Sequence, residues 1–497
     1  MLFNSIEFLI FFPLVCLTYY VIPYKARTVF LLICSYFFYM CWNPKYALLM
    51  LTSTAITYLS GILISGCDRI ADEKQRTARK KQYVALSFIS NLLILFFFKY
   101  YNLFSGTVNT ILELLDIRYT IPRFDVLLPV GISFYTFQAL SYTADVYRND
   151  IYAEKNFLKY ALFVSFFPQL VAGPIERSKN LLVQISQKHP FDFENVRHGF
   201  LLMLYGYFQK IVLSSYLAMV VDAVYDGWTE CSGLQLTIAT ACFAFQIYCD
   251  FGGYSNIAIG AAEIMGFRIM DNFNAPYLSR SVSEFWRRWH ISLSTWFRDY
   301  LYIPLGGNRL GRWRKYLNLM IVFLVSGLWH GAEYHFVVWG GINGLFQVIG
   351  DLMKPVKKKV NELLHIGTDS ALHRILQTAI TFYLLMITWI FFRADSLSSA
   401  FGILSRMLYI TPAWFAHEGG LSSIGLERSD AGILAFSMIV LFISDIFRYR
   451  NIQVRDFIIA QKPAVRLAIC YAAVMFLLIF GVYGPEYDSA AFIYFQF

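Results

Sequence analysis

Apolar runs punctuated by short polar turns recur from one end of the chain to the other. They cover residues 6–22, 28–42, 46–65, 83–104, 126–145, 157–171 and 199–224, then 233–249, 316–329, 336–349, 375–392, 431–447 and 467–483. A hydrocarbon core of about 30 Å takes roughly 20 apolar residues per helix, so the pattern predicts an all-α polytopic membrane protein. Roughly ten to thirteen membrane segments are expected, some of them short or re-entrant, because only backbone paired within its own helix crosses lipid cheaply. The polar stretches 69–82, 178–197, 354–374 and 416–430 are loop-sized, which leaves residues 1–497 as one membrane domain without a soluble module. No internal repeat is visible, and that counts against transporters built from duplicated halves.

Composition agrees with this reading: 57% of the residues are hydrophobic, 18% aromatic and 15% charged, where a soluble domain carries about 25% charged residues. The net charge of +9 sits in short loops between apolar runs, which fits a positive-inside bias and not a nucleic-acid partner. Arg69, Lys74, Arg76, Arg79, Lys80 and Lys81 place their loop in the cytoplasm. Counting back puts Lys25 and Arg27 inside, the turn 43–45 outside and the N-terminus outside. The eight cysteines lie mostly within apolar runs and form no CxxC pair, so they read as small buried residues. The first run lacks a basic flank and a small-residue cleavage site, and reads as a retained span.

Charge, aromatic rings and glycines mix most densely between residues 250 and 335. Ser281 followed by Glu284 is a capping-box pattern, and Pro304, Gly306 and Gly307 close the segment, predicting one helix over 282–303. Phe285, Trp289, Leu293, Trp296 and Tyr300 would form its aromatic stripe, with Arg287, His290, Ser294 and Arg298 on a polar one. Such a helix lies at the membrane interface or lines a wet cavity. Gly252 and Gly253, after Asp250 and before Tyr254, permit either close helix packing or a break.

An ionisable side chain at the end of an apolar run is costly and tends to be functional or paired. His330 is the clearest case, following Leu328 and Trp329 and preceding Gly331. A neutral imidazole takes up a proton near physiological pH and suits a base that activates a hydroxyl or thiol, though a hydrogen-bonded structural histidine fits as well. His335 and Glu333 are close in sequence, but their spacing fits neither zinc-helix pattern, so no metal is expected. No GxSxG elbow supports a serine hydrolase.

Residues 283–290, followed by Ser292, Leu293, Ser294, Trp296, Arg298, Asp299, Tyr300 and 304–308, resemble the signature of the membrane-bound O-acyltransferase family, most closely its alginate O-acetyltransferase branch. Residues 328–331 with Val338, Trp339 and Gly340 resemble the segment that holds that family's catalytic histidine. Further likeness lies at 129–137, 167–176, 250–255 and 3–12, so the resemblance runs to about Phe346, beyond which the chain is alike mainly in being hydrophobic.

The resemblance implies a ring of helices with re-entrant or interfacial elements around a central tunnel, joining a cytoplasmic acyl donor to an extracytoplasmic acceptor. By the same likeness His330 stands at the catalytic position and His290 at that of the second family histidine. It implies acetyl-CoA as acyl-donor substrate, no permanently bound cofactor, and transfer through a separate extracytoplasmic transferase to a polysaccharide such as alginate. Peptidoglycan, cellulose and teichoic acid are alternative acceptors, and the inner membrane is the expected location, with membrane lipid as surroundings. Arg309, Arg312, Arg314 and Lys315 are candidates for the donor's phosphates, against the plainer reading as positive-inside loop charge. A multi-pass transporter or a scaffold without catalysis are the rival classes.

Overall fold

A computed structural model describes residues 1–124, 128–363, 370–409, 423–483 and 493. Helices dominate it, and no β-strand occurs among the described residues. Seven described helices are long and apolar enough to cross a membrane, or eight if the bent pair Tyr334–Leu352 and Lys354–Leu363 forms one span. That is fewer than the apolar runs in the sequence, because several runs fold into helices of 9 to 17 residues, shorter than a span needs. Two compact units divide the chain, Met1–Met203 with Ile257–Met270, and Leu204–Asn256 with Asp271–Phe497.

The first unit opens with α1 (Ile6–Val21), α2 (Tyr24–Met40), α3 (Pro44–Gly66) and α4 (Glu73–Leu114). Their starts follow elementary capping: Ser5 Oγ accepts from the Phe8 amide at 3.3 Å, and Asn43 Oδ1 from the Lys45 amide at 3.0 Å just before Pro44. The basic stretch 69–81, expected as a loop, is mostly the opening turns of α4, because Asp72 caps it by accepting from the Lys74 amide. α5 (Ile132–Tyr147) and α6 (Phe157–Ser165) account for two of the missing spans. Every residue of α5 from Ile132 to Val146 is buried, so its apolarity serves protein packing and not lipid contact. The apolar run 126–145 begins outside the described residues; its helix starts after Gly131, whose φ of 74° and closeness to the Leu170 carbonyl exclude a side chain.

α7 (Phe193–Tyr225) and α8 (Gly233–Ile264) carry glycines at their contacts. In the first unit Gly199 and Gly260 face each other, and a Cβ on either would lie 2.5 Å from the other's carbonyl oxygen. In the second unit Gly253 sits against the Gly206 carbonyl and the Lys210 amide, 2.7 and 2.9 Å from where its Cβ would stand. α8 is continuous through this point, so Gly252 and Gly253 belong to close packing and not to a break.

Beyond α8 the second unit holds α9 (Val282–Arg288), α10 (Ile291–Phe297), α11 (Arg312–His330), α12 (Tyr334–Leu352) and α13 (Lys354–Leu363). Then follow α14 (Ala371–Arg393), α15 (Leu397–Met407), α16 (Arg428–Tyr449) and α17 (Pro463–Phe480). The single helix expected over 282–303 is interrupted at its middle by Trp289 and His290, with consequences for the site. All eight cysteines are free thiols.

Candidate functional site

The close pairing of α11 with α12 determines where His330 sits. Gly327 and Gly331 on the α11 side meet Phe336 and Gly340 on the α12 side, with no room for side chains between them. A Cβ on Gly327 would lie 2.3 Å from the Phe336 carbonyl oxygen, and one on Gly340 would lie 2.2 Å from that of Phe323. Gly331 ends α11, and its amide donates back to the Gly327 carbonyl at 3.3 Å. His330 is therefore the last residue of a helix clamped against its neighbour. Asn343 ties α9 to α12, accepting from the Trp286 indole N–H at 3.2 Å while donating to the Trp339 carbonyl at 2.9 Å. Asn318 ties α11 to the glycine turn, donating to the Leu305 and Gly307 carbonyls.

His330 is buried among rings. Trp339 stands 4.8 Å from it by ring centroid, Trp329 4.9 Å, Phe392 5.6 Å and His290 6.4 Å. Its Nδ1 lies 2.7 Å from the Ser326 carbonyl oxygen. A carbonyl only accepts, so Nδ1 carries the proton and the lone pair resides on Nε2. The surroundings thus select the tautomer that acts as a base at Nε2.

His290 joins the site through a backbone irregularity that helical periodicity hides. Its φ of 43° and ψ of 54° place it in the left-handed region, where a residue with a Cβ is strained by roughly 1–2 kcal/mol. Flanking hydrogen bonds hold it there: the Asn274 amide donates to the Arg288 carbonyl at 2.9 Å, and the Ile291 amide to the Asn272 carbonyl at 2.9 Å. The Asn272 side chain completes the support, accepting from Ser292 Oγ at 2.6 Å and donating to Ser255 Oγ at 3.0 Å. The result is a fully buried imidazole packed on Phe251, with a centroid distance of 4.7 Å. Burial, with His330 nearby, lowers its proton affinity well below the ordinary histidine range, so the ring is neutral at physiological pH.

The polar stripe expected from a continuous helix does not form. Arg287 and Arg298 are exposed while His290 is buried, and Arg298 Nε pairs with Asp299 at 2.8 Å. His335 is held by its own neighbours, Nδ1 facing the Phe391 carbonyl at 2.9 Å and Nε2 facing Glu333 at 3.0 Å. Arg309, Arg312 and Arg314 are exposed, and Lys315 pairs with Asp351 at 2.6 Å. Arg312 and His330 stand at opposite ends of α11, separated by about 27 Å of helix at the usual rise. The structure brings His290 and His330 together and sets the basic cluster apart from both.

A buried ion pair escaped the sequence reading. Lys210 on α7 pairs with Asp250 on α8, and Asp250 Oδ2 also accepts from the Ile493 amide at 3.0 Å. Lys210 stands inside an apolar run and Asp250 directly at the end of another, a signal as costly as that of His330. Asn272, Asn318 and Asn343 had no such signal, since a neutral amide in sequence does not reveal which backbone groups it will satisfy.

The match to known proteins covers most of the chain. A model of the membrane-bound O-acyltransferase family matches residues 37–394. The chain is 35% identical over 453 residues to the probable alginate O-acetylase AlgI of Pseudomonas aeruginosa, covering 91% of this chain and 82% of that protein. The corresponding protein of Azotobacter vinelandii is 37% identical over 412 residues, 82% and 78% of the two chains. The peptidoglycan O-acetyltransferase of Helicobacter pylori is 31% identical over 492 residues, 91% and 90% of the two chains. The likeness therefore extends past Phe346, where motifs in the sequence had faded.

Proposed function

The chain belongs to the membrane-bound O-acyltransferase family and is a multi-pass membrane O-acyltransferase, and on that ground we propose that it passes an acetyl group from acetyl-CoA in the cytoplasm to an extracytoplasmic polysaccharide such as alginate. The observation that supports this reading is His330, held by the Ser326 carbonyl with its lone pair on Nε2, among aromatic rings and beside neutral His290.

In the proposed step Nε2 of His330 removes the proton of the acceptor hydroxyl as its oxygen attacks the thioester carbonyl. The carbon–sulfur bond then breaks, and the proton passes from His330 to the departing thiolate. His290, being neutral, orients the acceptor or donates a hydrogen bond to the developing oxyanion. The aromatic lining excludes water that would otherwise hydrolyse the thioester. Arg309, Arg312, Arg314 and Lys315 would hold the donor's phosphates, which requires the donor to extend along most of the ~27 Å length of α11 to reach His330. The acceptor hydroxyl belongs to a separate extracytoplasmic transferase, which then hands the acetyl group to a glycan hydroxyl at the inner membrane and regains its own.

The test uses membranes containing the His330→Ala protein and labelled acetyl-CoA. Transfer of label to alginate is expected to fall to background while the protein remains folded; unchanged transfer would remove His330 from catalysis. Trapping of label on His330 in the wild type would instead make it a transient acyl carrier. The Helicobacter pylori relative favours a second acceptor, peptidoglycan, and supplying both glycans in the same assay decides between them.

A further inference from the structure

The segment after α12 reads in sequence as a polar loop, yet its first part is the helix α13, ten residues long with none buried. An isolated helix of that length is marginal in water, so cover for its apolar side would stabilise it. Val356, Val360 and Leu363 are spaced at i, i+4 and i+7 and form one stripe, Leu363 being 75% exposed. At about 100° per residue, Lys357 and Lys359 fall roughly 70–90° to either side of that stripe. Lys354, Lys358, Asn361 and Glu362 occupy the opposite face.

The helix also follows directly on a segment of nearly the length that a membrane span needs. α12 has 19 residues, about 28 Å of rise and close to the hydrocarbon thickness. α13 leaves its end at an angle of 49° after the single residue Met353. Five of its ten residues are charged, so the hydrocarbon is closed to it and the interface open. The Lys315–Asp351 and Lys354–Asp351 pairs place the start of α13 beside the basic start of α11. Arg312 and Arg314 therefore add to the same positive end of the α11–α12 hairpin.

We propose that α13 is a docking surface for the anionic headgroups of the membrane leaflet it faces. Val356, Val360 and Leu363 enter the acyl boundary, and Lys357 and Lys359 extend outward to lipid phosphates on either side. The occupant is a lipid surface, chosen over a soluble phosphate compound because the flanking lysines border an exposed apolar stripe, which a bilayer would cover and a soluble phosphate compound would not. This inference rests on the membrane setting and is independent of which glycan is acetylated.

The full chain, reconstituted in nanodiscs of phosphatidylcholine with or without phosphatidylglycerol, allows amide exchange across residues 354–363 to be followed. Phosphatidylglycerol is expected to slow exchange there in a salt-sensitive way. In a Lys357→Gln, Lys359→Gln variant that slowing should weaken roughly thirtyfold, the effect of two surface-bound lysines. A Lys357→Arg, Lys359→Arg variant should retain it, and unchanged exchange across α11 and α12 reports that each variant is folded. Equal exchange with and without phosphatidylglycerol would overturn the proposal, as would slowing that survives removal of both charges. Slowing by coenzyme A in phosphatidylcholine nanodiscs, with none from phosphatidylglycerol, would assign the lysines to the donor and also overturn it.

Discussion

Adding one methyl group at Gly327 should disable the site without touching it. Gly327 precedes His330 by less than one helical turn, and its Cβ would lie 2.3 Å from the Phe336 carbonyl oxygen, 3.0 Å from that carbonyl carbon and 3.2 Å from Val337 Cα. These are backbone atoms of a helix, which cannot rotate away as a side-chain tip can. Ordinary contact requires the two helices to part by about 1 Å at this point. Overpacking of this kind costs about 1–3 kcal/mol in stability. The larger effect is on chemistry, since the Ser326 carbonyl that orients the imidazole moves with the helix. A displacement of about 1 Å in a reacting group lowers turnover by roughly a hundredfold. Gly341→Ala and Gly350→Ala serve as controls on α12: the first would meet only a Leu324 methyl at 3.6 Å, and the second nothing within 4 Å. Both should keep activity, and Gly350→Ala should gain up to about 1 kcal/mol from helix propensity. Label transfer to glycan and thermal unfolding in one detergent measure both quantities. If Gly327→Ala turns over at close to the wild-type rate, the glycine contact is not what positions His330.

Three further outcomes follow from buried polar groups. Lys210→Met and Asp250→Asn should each destabilise by about 3–5 kcal/mol because each strands its partner, whereas the double variant should recover much of the loss; thermal unfolding of all four proteins gives the coupling. Asn272→Ala leaves Ser255 and Ser292 without their shared amide and removes the side-chain support beside the left-handed turn at His290, so activity should fall while stability drops by about 1–3 kcal/mol, and Asn272→Asp should recover part of both, readable from turnover and unfolding together. Glu176 in the first unit accepts from the Met270 amide and from Asn180 Nδ2, and burial pushes its carboxyl up to about 7 from an ordinary value of 4.5. Its folded-state proton affinity is the higher one, so the stability it contributes is complete below about pH 4.5 and is lost as pH rises through 7, by about 3 kcal/mol in all. Glu176→Gln should flatten that slope in a series of melts, and an unaltered slope would place the titration elsewhere.

The chain's own pattern determined the elements whose causes are local. Long apolar runs become helices because lipid offers the backbone no partner, and Ser5, Asn43 and Ser281 start helices because their side chains reach amides two or three residues on. The Ser281 and Glu284 pairing appears as expected, with Glu284 also accepting from the Arg280 amide at 3.0 Å. His330 was legible for the same reason: an imidazole at the end of an apolar run is costly wherever the chain folds. Distant contacts decided the rest. The break at His290 depends on Asn272 and Asn274, whose backbone hydrogen bonds replace those of a continuous helix, and periodicity cannot register a partner well over a dozen residues away. Burial of α5 and α6 depends on what packs around them, so hydropathy alone counted them with the lipid-facing spans. The separation of Arg312 from His330 follows from the unbroken helix α11 that runs between them. Local hydrogen bonding and transfer from water act on each residue by its type, whereas a site is a set of distances, and only the packed tertiary structure determines those.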